Sequence, residues 1–444
     1  MKKNNIIIIG GGAAGTAAAH TLSQKGYTVT ILEKNDRLGG RIHSITTDDA
    51  IFEVGAGFVS DFYTNTLKLI KSTGLEKYLQ TRKSYSALVR NGTLHPLLSK
   101  SAIFGTSILS NRAKLQFARE LFKITAIWNK IDPLHMWKMY PYDKQSISQA
   151  FIKKNEQELL EYFIQPALDG YFYWSAKNIS EAMLMIIFKT LLTRQHTYIL
   201  KCGLQRIPEK AAEGSHLLLA HEVTQVQKIS KNEYEVTVKS NKSTKKLRAN
   251  GIICATTATI VPKIIKGLNK KQLAFFASVH YSTTAVAAKT FNPKITPQNY
   301  NIAYPRKERT TIGAITIVSD IMKDEIKKTT LVKLYASGAS GKKLCIETDD
   351  KIDATLSKAA FLSNKVFDMS ANPTFRYIQR WNEALPEFNT GHFHRLHAFM
   401  SDEIESENDN ITFAGDYIGG PFIEGAFTSG VNAALRLNQR LHLQ

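Results

Sequence analysis

The chain has 444 residues, of which 43% are hydrophobic and 22% charged, so it can bury ordinary cores and is not a disordered protein. Its three cysteines lie far apart, which excludes a disulfide framework and favours a reducing compartment. Nearly all of the net charge of +20 comes from residues 81–300. A field of this sign favours an anionic substrate or an anionic membrane surface, although solvated lysines without a partner explain it equally well.

Apolar runs and short motifs also limit the possible partners and the cellular location. No stretch approaches the roughly 20 apolar residues that span a bilayer, and the apolar run of residues 6–9 is too short for a secretion signal. No nucleic-acid-binding motif accompanies the positive charge, and no cluster of metal-binding residues stands out. We therefore expect a cytoplasmic protein without a metal or a nucleic-acid partner, either free or in peripheral contact with the inner face of the membrane.

The first elements of the chain predict a dinucleotide-binding unit. Residues Asn5–Ile9 form a short β-branched run, which is typical of a strand buried on both faces. Gly10, Gly12 and Gly15 follow as a GxGxxG motif. The first glycine allows a sharp turn, the second lets a pyrophosphate approach the backbone, and the third lets helix and strand pack closely. The helix predicted over residues 16–25 then offers its N-terminal amides to the phosphates.

A second strand, predicted over residues 27–32, ends at an acidic residue. Glu33 can accept hydrogen bonds from the ribose hydroxyls of an adenosine. The next stretch contains a second glycine pair, Gly39 and Gly40, followed by Arg41, which can pair with a phosphate. An NAD-binding domain does not need these residues, whereas an FAD-binding chain must follow its cofactor past the pyrophosphate. The pattern therefore predicts FAD.

This stretch resembles the flavin amine oxidase and protoporphyrinogen oxidase superfamily. Residues 37–41 (RLGGR) are similar to the RxGGR signature of that superfamily. Residues 52–58 (FEVGAGF) look like its next conserved segment, where the backbone passes near the isoalloxazine. The resemblance implies cofactor contacts at Gly40, Arg41, Ala56, Gly57 and Phe58.

In the middle of the chain, shorter segments carry the resemblance. Residues 198–211 are similar to a GGLxxLPxAL turn of the protoporphyrinogen oxidases, with Cys202 in place of the first glycine. Residues 216–226 and 247–255 predict strands. The resemblance implies that the backbone of Val223 contacts the adenine.

Two further segments concern the substrate. Residues 379–392 resemble the RWxxAxPxYxxGH segment of the superfamily and imply that Trp381 lies beside the flavin. Residues 165–174 resemble a substrate-domain segment of the protoporphyrinogen oxidases and contain Tyr171. For both aromatic residues, core packing is the alternative.

No catalytic residue can be named from the sequence. The amine oxidases of this superfamily place a lysine near flavin N5, but neither Lys289 nor Lys333 lies within a motif that identifies it. The isolated histidines His196, His221 and His392 are interpreted as structural or exposed.

The C-terminal segment completes the cofactor pattern. Residues 411–414 predict a buried strand, and Gly415 and Asp416 follow at its carboxyl end, where open α/β sheets bind ligands. A helix predicted from about Glu424 can direct its N-terminal amides at the flavin pyrimidine edge and stabilise negative charge on N1 and O2 of the reduced ring. Asp416 can bond the ribityl hydroxyls. The segment resembles the GD…EGAxxSG stretch that closes the superfamily's FAD site.

The resemblance implies an α/β fold, with a Rossmann-like FAD-binding domain of the glutathione reductase type and an inserted α+β substrate domain. We expect residues 1–83, 196–270 and 390–444 to form the FAD-binding domain, and residues 84–195 and 271–389 to form the substrate domain. The residues expected to contact FAD are Gly10, Gly12, Ala14, Gly15, Glu33, Lys34, Gly40, Arg41, Ala56, Gly57, Phe58, Val223, Gly415, Asp416, Ile423 and Ala426.

The expected function is that of an FAD-dependent oxidoreductase that desaturates a small organic substrate by hydride transfer to flavin N5. The middle segments resemble the protoporphyrinogen oxidase branch, and the electron acceptor is dioxygen or another oxidant. The alternatives are a flavin amine oxidase, a carotenoid-type desaturase, a tailoring oxidase of secondary metabolism and a flavin-binding protein without turnover. The basic middle suits a substrate with carboxylates or docking on an anionic membrane. For such docking, residues 113–128 offer a basic amphipathic helix, with an ordinary core-facing helix as the alternative.

Overall fold

The structure is a computed structural model, and it describes residues 4–48, 50–97, 102–194, 196–241, 243–292, 300–308, 311–318, 329–363, 372–405 and 409–442. The strands are β1 (Asn5–Ile9), β2 (Thr28–Leu32), β3 (Ser44–Thr46), β4 (Ile51–Glu53), β5 (Val59–Ser60), β6 (Leu79–Thr81), β7 (Tyr85–Arg90), β8 (Thr93–Leu97), β9 (Thr197–Leu200), β10 (His216–Leu218), β11 (Glu222–Ser230), β12 (Glu233–Lys239), β13 (Thr244–Ala249), β14 (Gly251–Cys254), β15 (His280–Tyr281), β16 (Thr284–Phe291), β17 (Tyr300–Ala303), β18 (Ile312–Val318), β19 (Thr330–Ala336), β20 (Phe375–Trp381), β21 (Pro386–Glu387) and β22 (Ile411–Phe413).

The α-helices are α1 (Ala13–Gln24), α2 (Thr64–Ser72), α3 (Ala102–Gly105), α4 (Asn111–Ala126), α5 (Ile147–Lys153), α6 (Gln157–Leu159), α7 (Gln165–Phe172), α8 (Glu181–Thr193), α9 (Arg206–Ala211), α10 (Val261–Ile264), α11 (Lys270–Ala277), α12 (Gly338–Leu344), α13 (Asp349–Ser363), α14 (His392–Glu405), α15 (Asp416–Gly419) and α16 (Ile423–His442). A π-helical turn, Leu160–Ile164, joins α6 to α7.

The N-terminal strand lies at the centre of a five-stranded parallel sheet with the order β10-β2-β1-β14-β22. Ile6 and Ile8 of β1 pack on the side of α1 and α16. Ile7 and Ile9 point to the opposite side and join the main core of the molecule. Because both faces of β1 are covered, its uninterrupted apolar run is what a buried parallel strand requires.

Two stretches that the sequence predicts as single strands are each divided between two sheets. Within residues 216–226 the chain turns at Ala220, which has a left-handed φ of 54°. Strand β10 precedes this turn and pairs with β2, whereas β11 follows it and pairs with β12 in a separate three-stranded antiparallel sheet. Residues 247–255 likewise leave β13 of the small sheet and enter β14 of the parallel sheet. An alternating apolar pattern shows that strands exist but not which sheet they join.

A seven-stranded mixed sheet has the order β20-β16-β19-β18-β17-β7-β8. The pair β7 and β17 is parallel, and the other neighbouring pairs are antiparallel. Its strands come from residues 85–97 and 284–381, within the segments predicted for the substrate domain, and the strands of the parallel sheet come from the segments predicted for FAD binding. The division into these two domains stays a prediction.

Helices α3 to α8 form a layer that adjoins the main core. The helix predicted over residues 113–128 is α4, and it buries Ala113, Phe117 and Ile124. Its other side carries Leu115 and Phe122, and the side chain of Phe122 is 75% exposed. The helix is therefore core-facing along one side and apolar along part of its outer side. Within the described ranges, no helix combines the length and the apolarity needed to cross a membrane.

Candidate cofactor and substrate site

A large cavity of ≈ 1610 Å³ is lined by residues of both large sheets and of the helical layer. All the residues that the sequence analysis expects to contact FAD or substrate line this cavity, except Gly15. Gly15 lies behind the wall, where a Cβ atom would overlap the carbonyl oxygen of Gly10. Its place in the structure is therefore explained by the close packing of α1 on β1.

The glycine loop between β1 and α1 leaves room for a ligand. Gly10 has a φ of +103°, and a Cβ atom there would press against the backbone of Ala255. A Cβ atom at Gly12, in contrast, would meet no atom within 4 Å. Gly12 is also the N-cap of α1, and no side chain caps this helix. A cofactor pyrophosphate fits this open helix N-terminus, where amides and the helix dipole favour an anion.

Glu33 is held in a fixed position at the carboxyl end of β2. Its Oε2 accepts a hydrogen bond from the N–H of Gly11 (2.7 Å), and its Oε1 accepts one from the N–H of Asn35 (2.9 Å). The N–H of His221 donates to the carbonyl oxygen of Glu33 (2.9 Å). This bond brings the start of β11, with Val223 on the cavity wall, beside the end of β2.

Arg41 and Asp416 form an ion pair at the edge of the cavity, although they are 375 residues apart in the sequence. The guanidinium makes two contacts with the carboxylate, Nη1 to Oδ2 at 2.8 Å and Nη2 to Oδ1 at 2.9 Å, and Nη1 also donates to the carbonyl oxygen of Ala384 (3.0 Å). The sequence predicts a phosphate partner for Arg41 and a ribityl partner for Asp416, whereas in the structure the two side chains pair with each other. A carboxylate that is only 7% exposed requires such a cation, and the pair fixes both side chains at the cavity edge.

The start of α16 is anchored by Glu424, whose side chain points away from the cavity. Its carboxylate accepts hydrogen bonds from the N–H groups of Asn65 (2.8 Å) and Thr66 (2.9 Å) at the N-terminus of α2. This acidic residue therefore caps α2 and fixes the start of α16. Ile423 and Ala426, one residue before and two residues after it, line the cavity.

The turn that contains Cys202 keeps its geometry, because the residue that needs a left-handed conformation is Gly203, with a φ of +87°. After the turn, the N–H of Leu204 donates to Oε1 of Glu53 (2.8 Å), and the hydroxyl of Ser44 donates to both carboxylate oxygens of Glu53 (2.8 and 2.9 Å). Burial raises the pKa of Glu53 to about 7. This junction fixes the segment that leads into Gly55, Ala56, Gly57 and Phe58.

The two aromatic residues predicted for the substrate differ in their surroundings. Trp381 lies at the end of β20, and its indole N–H donates to the carbonyl oxygen of Val54 (3.0 Å). Its ring also lies 3.2 Å from the Cβ position of Gly55, so Trp381 packs directly on the segment predicted to face the flavin. Tyr171 lines the cavity but is 41% exposed.

A model of one protein family, flavin containing amine oxidoreductase, matches residues 13–438. The chain belongs to this family. It is therefore an FAD-dependent oxidoreductase. Oxidases related to it act on small molecules, with oxygen or another oxidant as the electron acceptor. The fit of the glycine loop to a pyrophosphate agrees with this cofactor.

Relatives of known activity resemble the chain over most of its length. Protoporphyrinogen oxidase 2 of Arabidopsis thaliana is 21% identical, over 95% of this chain and 91% of the relative. Coproporphyrinogen III oxidase of Bacillus subtilis is 22% identical, over 83% of each chain. Among solved structures, putrescine oxidase with bound putrescine has a TM-score of 0.78 at 18% identity, over 98% of this chain and 99% of that one. Likeness at this level of identity shows a shared fold.

The cavity is also lined by an aromatic pair that was not predicted from the sequence, Tyr173 and Tyr335. Tyr173, at the C-terminal end of α7, has a left-handed φ of 61°. Its ring stacks on Tyr335 of β19, with centroids 6.3 Å apart and ring planes at 25°. The residue predicted from the sequence of the same segment is Tyr171. The turn after Phe172 is what directs Tyr173 inwards, and no glycine or asparagine marks this turn in the sequence.

The left-handed turn at Tyr173 is held by an ion pair between the buried Asp169 and the partly exposed Arg306. Asp169, which is 1% exposed, accepts hydrogen bonds from the N–H of Gly338 (2.9 Å) and from Nε of Arg306 (3.1 Å). Arg306 also donates to the carbonyl oxygen of Trp174 (3.3 Å). A Cβ atom at Gly338 would overlap the carbonyl oxygen of Tyr173. The clamp therefore joins the end of α7 to the end of β19 and fixes Tyr173 against Tyr335.

The isolated histidines occupy three different environments. His392 is buried among aromatic rings, including that of Phe388 at 4.5 Å, and burial lowers its pKa to about 3. His196 and His221 line the cavity, the first exposed and the second partly buried. The interpretation of His392 as structural agrees with its packing.

Proposed function

We propose that this protein is an oxidase that desaturates an acidic macrocycle of the porphyrinogen type, in which methylene bridges join flat pyrrole rings. FAD, when bound, accepts the hydride and passes the electrons to dioxygen or another oxidant. The residues of the chain bind the cofactor, orient the substrate ring and exclude water from the space between them. No side chain is assigned as a general acid or base.

We place the cofactor along the residues predicted from the sequence. In this proposal Gly12 and the first amides of α1 bind the pyrophosphate, Glu33 binds the adenosine ribose, and Val223 contacts the adenine. The start of α16, at Ile423 and Ala426, faces the pyrimidine edge and stabilises negative charge there. Residues 1–83, 196–270 and 390–444 then form the cofactor domain, and the remaining segments form the substrate domain.

The observation that carries the proposed substrate is the distribution of charge along the cavity. Among the described lining residues, the acidic ones are Glu33, Glu222, Glu383 and Asp416. Of these, Glu383 accepts a hydrogen bond from the hydroxyl of Thr257 and Asp416 pairs with Arg41, so both carboxylates already have partners within the chain. The described lining residues from 81–197 and 301–335 include basic residues and no acidic residue. The basic ones are Arg82, Lys83, Arg194 and Lys333. This side of the cavity attracts an anion and repels an ammonium group.

The size of the cavity and its apolar lining suit a large, mostly apolar molecule. Besides the basic residues, apolar side chains of the helical layer line the cavity. They are Ile103, Phe117, Leu121, Phe163, Phe188 and Leu191. A substrate with an apolar ring system and acidic substituents satisfies both regions. The names of the two full-length relatives, a protoporphyrinogen oxidase and a coproporphyrinogen oxidase, agree with this chemistry.

The test is anaerobic mixing of the FAD-loaded protein with protoporphyrinogen, with coproporphyrinogen and with a polyamine, while the flavin absorbance is followed. We expect a porphyrinogen to bleach the flavin and the polyamine to leave it oxidised. Bleaching by the polyamine alone would move the protein to the amine oxidases. Bleaching by none of the three would reject the proposed substrate class.

We further propose that α3 and α4 contact an anionic membrane surface. Phe104, Leu115 and Phe122 are exposed on these helices, and α4 also carries basic residues. The basic ones are Arg112, Lys114, Arg119 and Lys123. Exposed apolar side chains among basic ones are typical of a helix that lies in a membrane interface. Because Ile103, Phe117 and Leu121 of the same helices line the cavity, an apolar substrate could enter from the membrane.

Co-sedimentation with vesicles of phosphatidylglycerol tests this contact, with phosphatidylcholine vesicles for comparison. We expect the double variant Leu115→Ser with Phe122→Ser to lose most of the binding to the anionic vesicles. Leu435→Ser, at an exposed leucine of α16, is the matched control and should bind as the wild type does. Equal binding by all three proteins would reject the contact.

A further inference from the structure

Lys333 is a buried lysine on the cavity wall, in the middle of strand β19. The residue is 5% exposed, and the other residues of the strand are buried as well. Its ammonium donates a hydrogen bond to the carbonyl oxygen of Glu53 (3.0 Å). Among the described residues, no carboxylate oxygen lies within 4.0 Å of it. The carboxylate of this same Glu53 accepts its hydrogen bonds from Ser44 and Leu204.

A buried cation without an anion is costly, and the neighbouring strand shows the usual solution. Lys289 of β16 lies next to Lys333 in the register, since Lys289 pairs with Val332 and Lys333 pairs with Ala288. Successive residues of a strand point to opposite faces. Lys289 therefore points to α13, where it binds Asp353 (2.7 Å) and Ser357 (2.7 Å). The chain supplies a counter-ion to one of these lysines and leaves the other facing the cavity.

The surroundings of the Lys333 ammonium identify what it can bind. It lies 3.9 Å from the Cβ position of Gly57, on the segment predicted to face the flavin. It also lies 5.6 Å from the ring centre of Tyr335, which shares its face of the strand and stacks on Tyr173. On the other side of the segment, the guanidinium of Arg194 lies 6.0 Å from the ring centre of Phe58. A cation beside stacked rings suits an acidic group attached to a flat, unsaturated ring.

We propose that Lys333 is the anchor of a carboxylate subsite, in which its ammonium binds an acidic group of the substrate while Tyr335 and Tyr173 contact the attached ring. This proposal rests on the proposed function, because it assumes an acidic ring substrate. It adds the residue that selects for the acid and places the substrate beside Gly57. The bond to the carbonyl oxygen of Glu53 aims the ammonium before the substrate arrives.

The first experiment measures ligand binding to the FAD-loaded protein by the change in the flavin spectrum. The probes are benzoate, mesoporphyrin (a porphyrin dicarboxylate that cannot be oxidised as a porphyrinogen is) and the dimethyl ester of mesoporphyrin. We expect Lys333→Met to weaken the binding of benzoate and mesoporphyrin by about tenfold or more, the effect of one lost charge-assisted contact. Binding of the dimethyl ester should not change. Lys333→Arg should recover part of the affinity for both acids.

Lys289→Met is the matched control, since it removes the other buried lysine from the neighbouring strand. Asp353 retains Arg376 as a partner in this variant, and ligand binding should equal that of the wild type. Stability gives an independent readout without any ligand. In urea denaturation we expect Lys333→Met to be at least as stable as the wild type, because it removes a buried charge that has no counter-ion among the described residues, and Lys289→Met to be less stable.

The outcomes separate this proposal from the proposed function. If benzoate binding depends on Lys333 but wild-type protein binds neither porphyrin, the subsite stands and the porphyrinogen-type substrate is rejected. If mesoporphyrin and its ester lose affinity equally in Lys333→Met, or if the variant binds acids as the wild type does, the subsite is rejected and the substrate class stands. A shift of the flavin reduction potential with unchanged ligand affinity would also overturn it, since Lys333 would then act on the cofactor. Wild-type protein that binds none of the three probes would overturn it as well.

Discussion

The two sides of the cavity, one proposed to bind the cofactor and the other the substrate, are built in different ways. On the proposed cofactor side, the wall is formed by backbone at Gly10, Gly12 and Gly40, and each position follows a short local motif. On the proposed substrate side, the wall is formed by side chains such as Lys333 and Tyr173, which strand pairing and the ion pair of Asp169 bring together from distant segments. A local motif can be read from the sequence, whereas a wall of this second kind depends on the tertiary structure.

The strongest test of this contrast is a pair of substitutions in one motif. Gly15→Val should destabilise the protein severely, because even the first added carbon would overlap the carbonyl oxygen of Gly10. Gly12→Val should leave the apoprotein folded, since its Cβ position is open, but should lower the affinity for FAD on the order of a hundredfold by filling the space of the pyrophosphate. The flavin-to-protein absorbance ratio after gel filtration and the thermal midpoint of the apoprotein measure the two effects. A yellow, fully loaded Gly12→Val protein would refute the placement of the pyrophosphate.

On the proposed substrate side, we expect a substitution to weaken substrate binding and to leave FAD binding unchanged. Asp169→Asn removes the carboxylate charge from the pair with the partly exposed Arg306 and should lower the free energy of unfolding by about 1.5 kcal/mol. It should also raise KM more than it lowers kcat, because Tyr173 loses the clamp that fixes its ring against Tyr335, while FAD binding is unchanged. Urea denaturation and steady-state kinetics check both effects. Asp132→Asn, in a more exposed ion pair with His135, is the control and should cost under about 1 kcal/mol. Loss of flavin from Asp169→Asn would mean that the two sides are not separable.

We expect a smaller loss of FAD affinity at Glu33, which is proposed to bind the adenosine ribose. Glu33→Ala should weaken FAD binding about tenfold, since a charged acceptor for the ribose hydroxyls is lost. Glu33→Gln should retain part of the affinity, because its amide oxygen can still accept the N–H of Gly11. Titration of the apoproteins with FAD, followed by flavin fluorescence, measures the difference. Unchanged affinity in Glu33→Ala would show that another group holds the ribose.

How much of the structure can be predicted from the sequence also differs between local motifs and features that depend on the tertiary structure. Strand β1, the glycine loop and α1 were predictable because a buried parallel strand and a phosphate-binding turn each require particular residues within a short stretch. The same holds for Gly415 and Asp416 at the end of β22. The break at Ala220 was not predictable, since an alanine rarely adopts a left-handed φ and nothing in its neighbours signals one.

The two buried lysines show most clearly what the sequence lacked. Lys289 and Lys333 both lie in apolar strand patterns, so neither could be preferred. Their roles separate only when β16 pairs with β19, because the register directs one to α13 and the other to the cavity. The available signal was Lys333 itself, a charged residue in the mostly apolar strand TLVKLYA. A buried lysine needs a binding partner, but the sequence does not identify that partner.

The last prediction concerns Glu53, which joins the two sides: its carboxylate holds the turn at Leu204, and its carbonyl oxygen accepts the bond from Lys333. Burial raises the pKa of Glu53 from its ordinary 4.5 to about 7, so between these values the folded protein holds a proton that the unfolded chain has released. The stability contributed by this neutral form is therefore lost as the pH rises through that window. Glu53→Gln removes the titration, so its unfolding free energy relative to the wild type should increase as the pH rises from about 4.5 to 7. Urea denaturation at a series of pH values tests this. Parallel pH dependence of the two proteins would mean that Glu53 is already ionised in the fold and that its charge, with Lys333 nearby, is part of the junction.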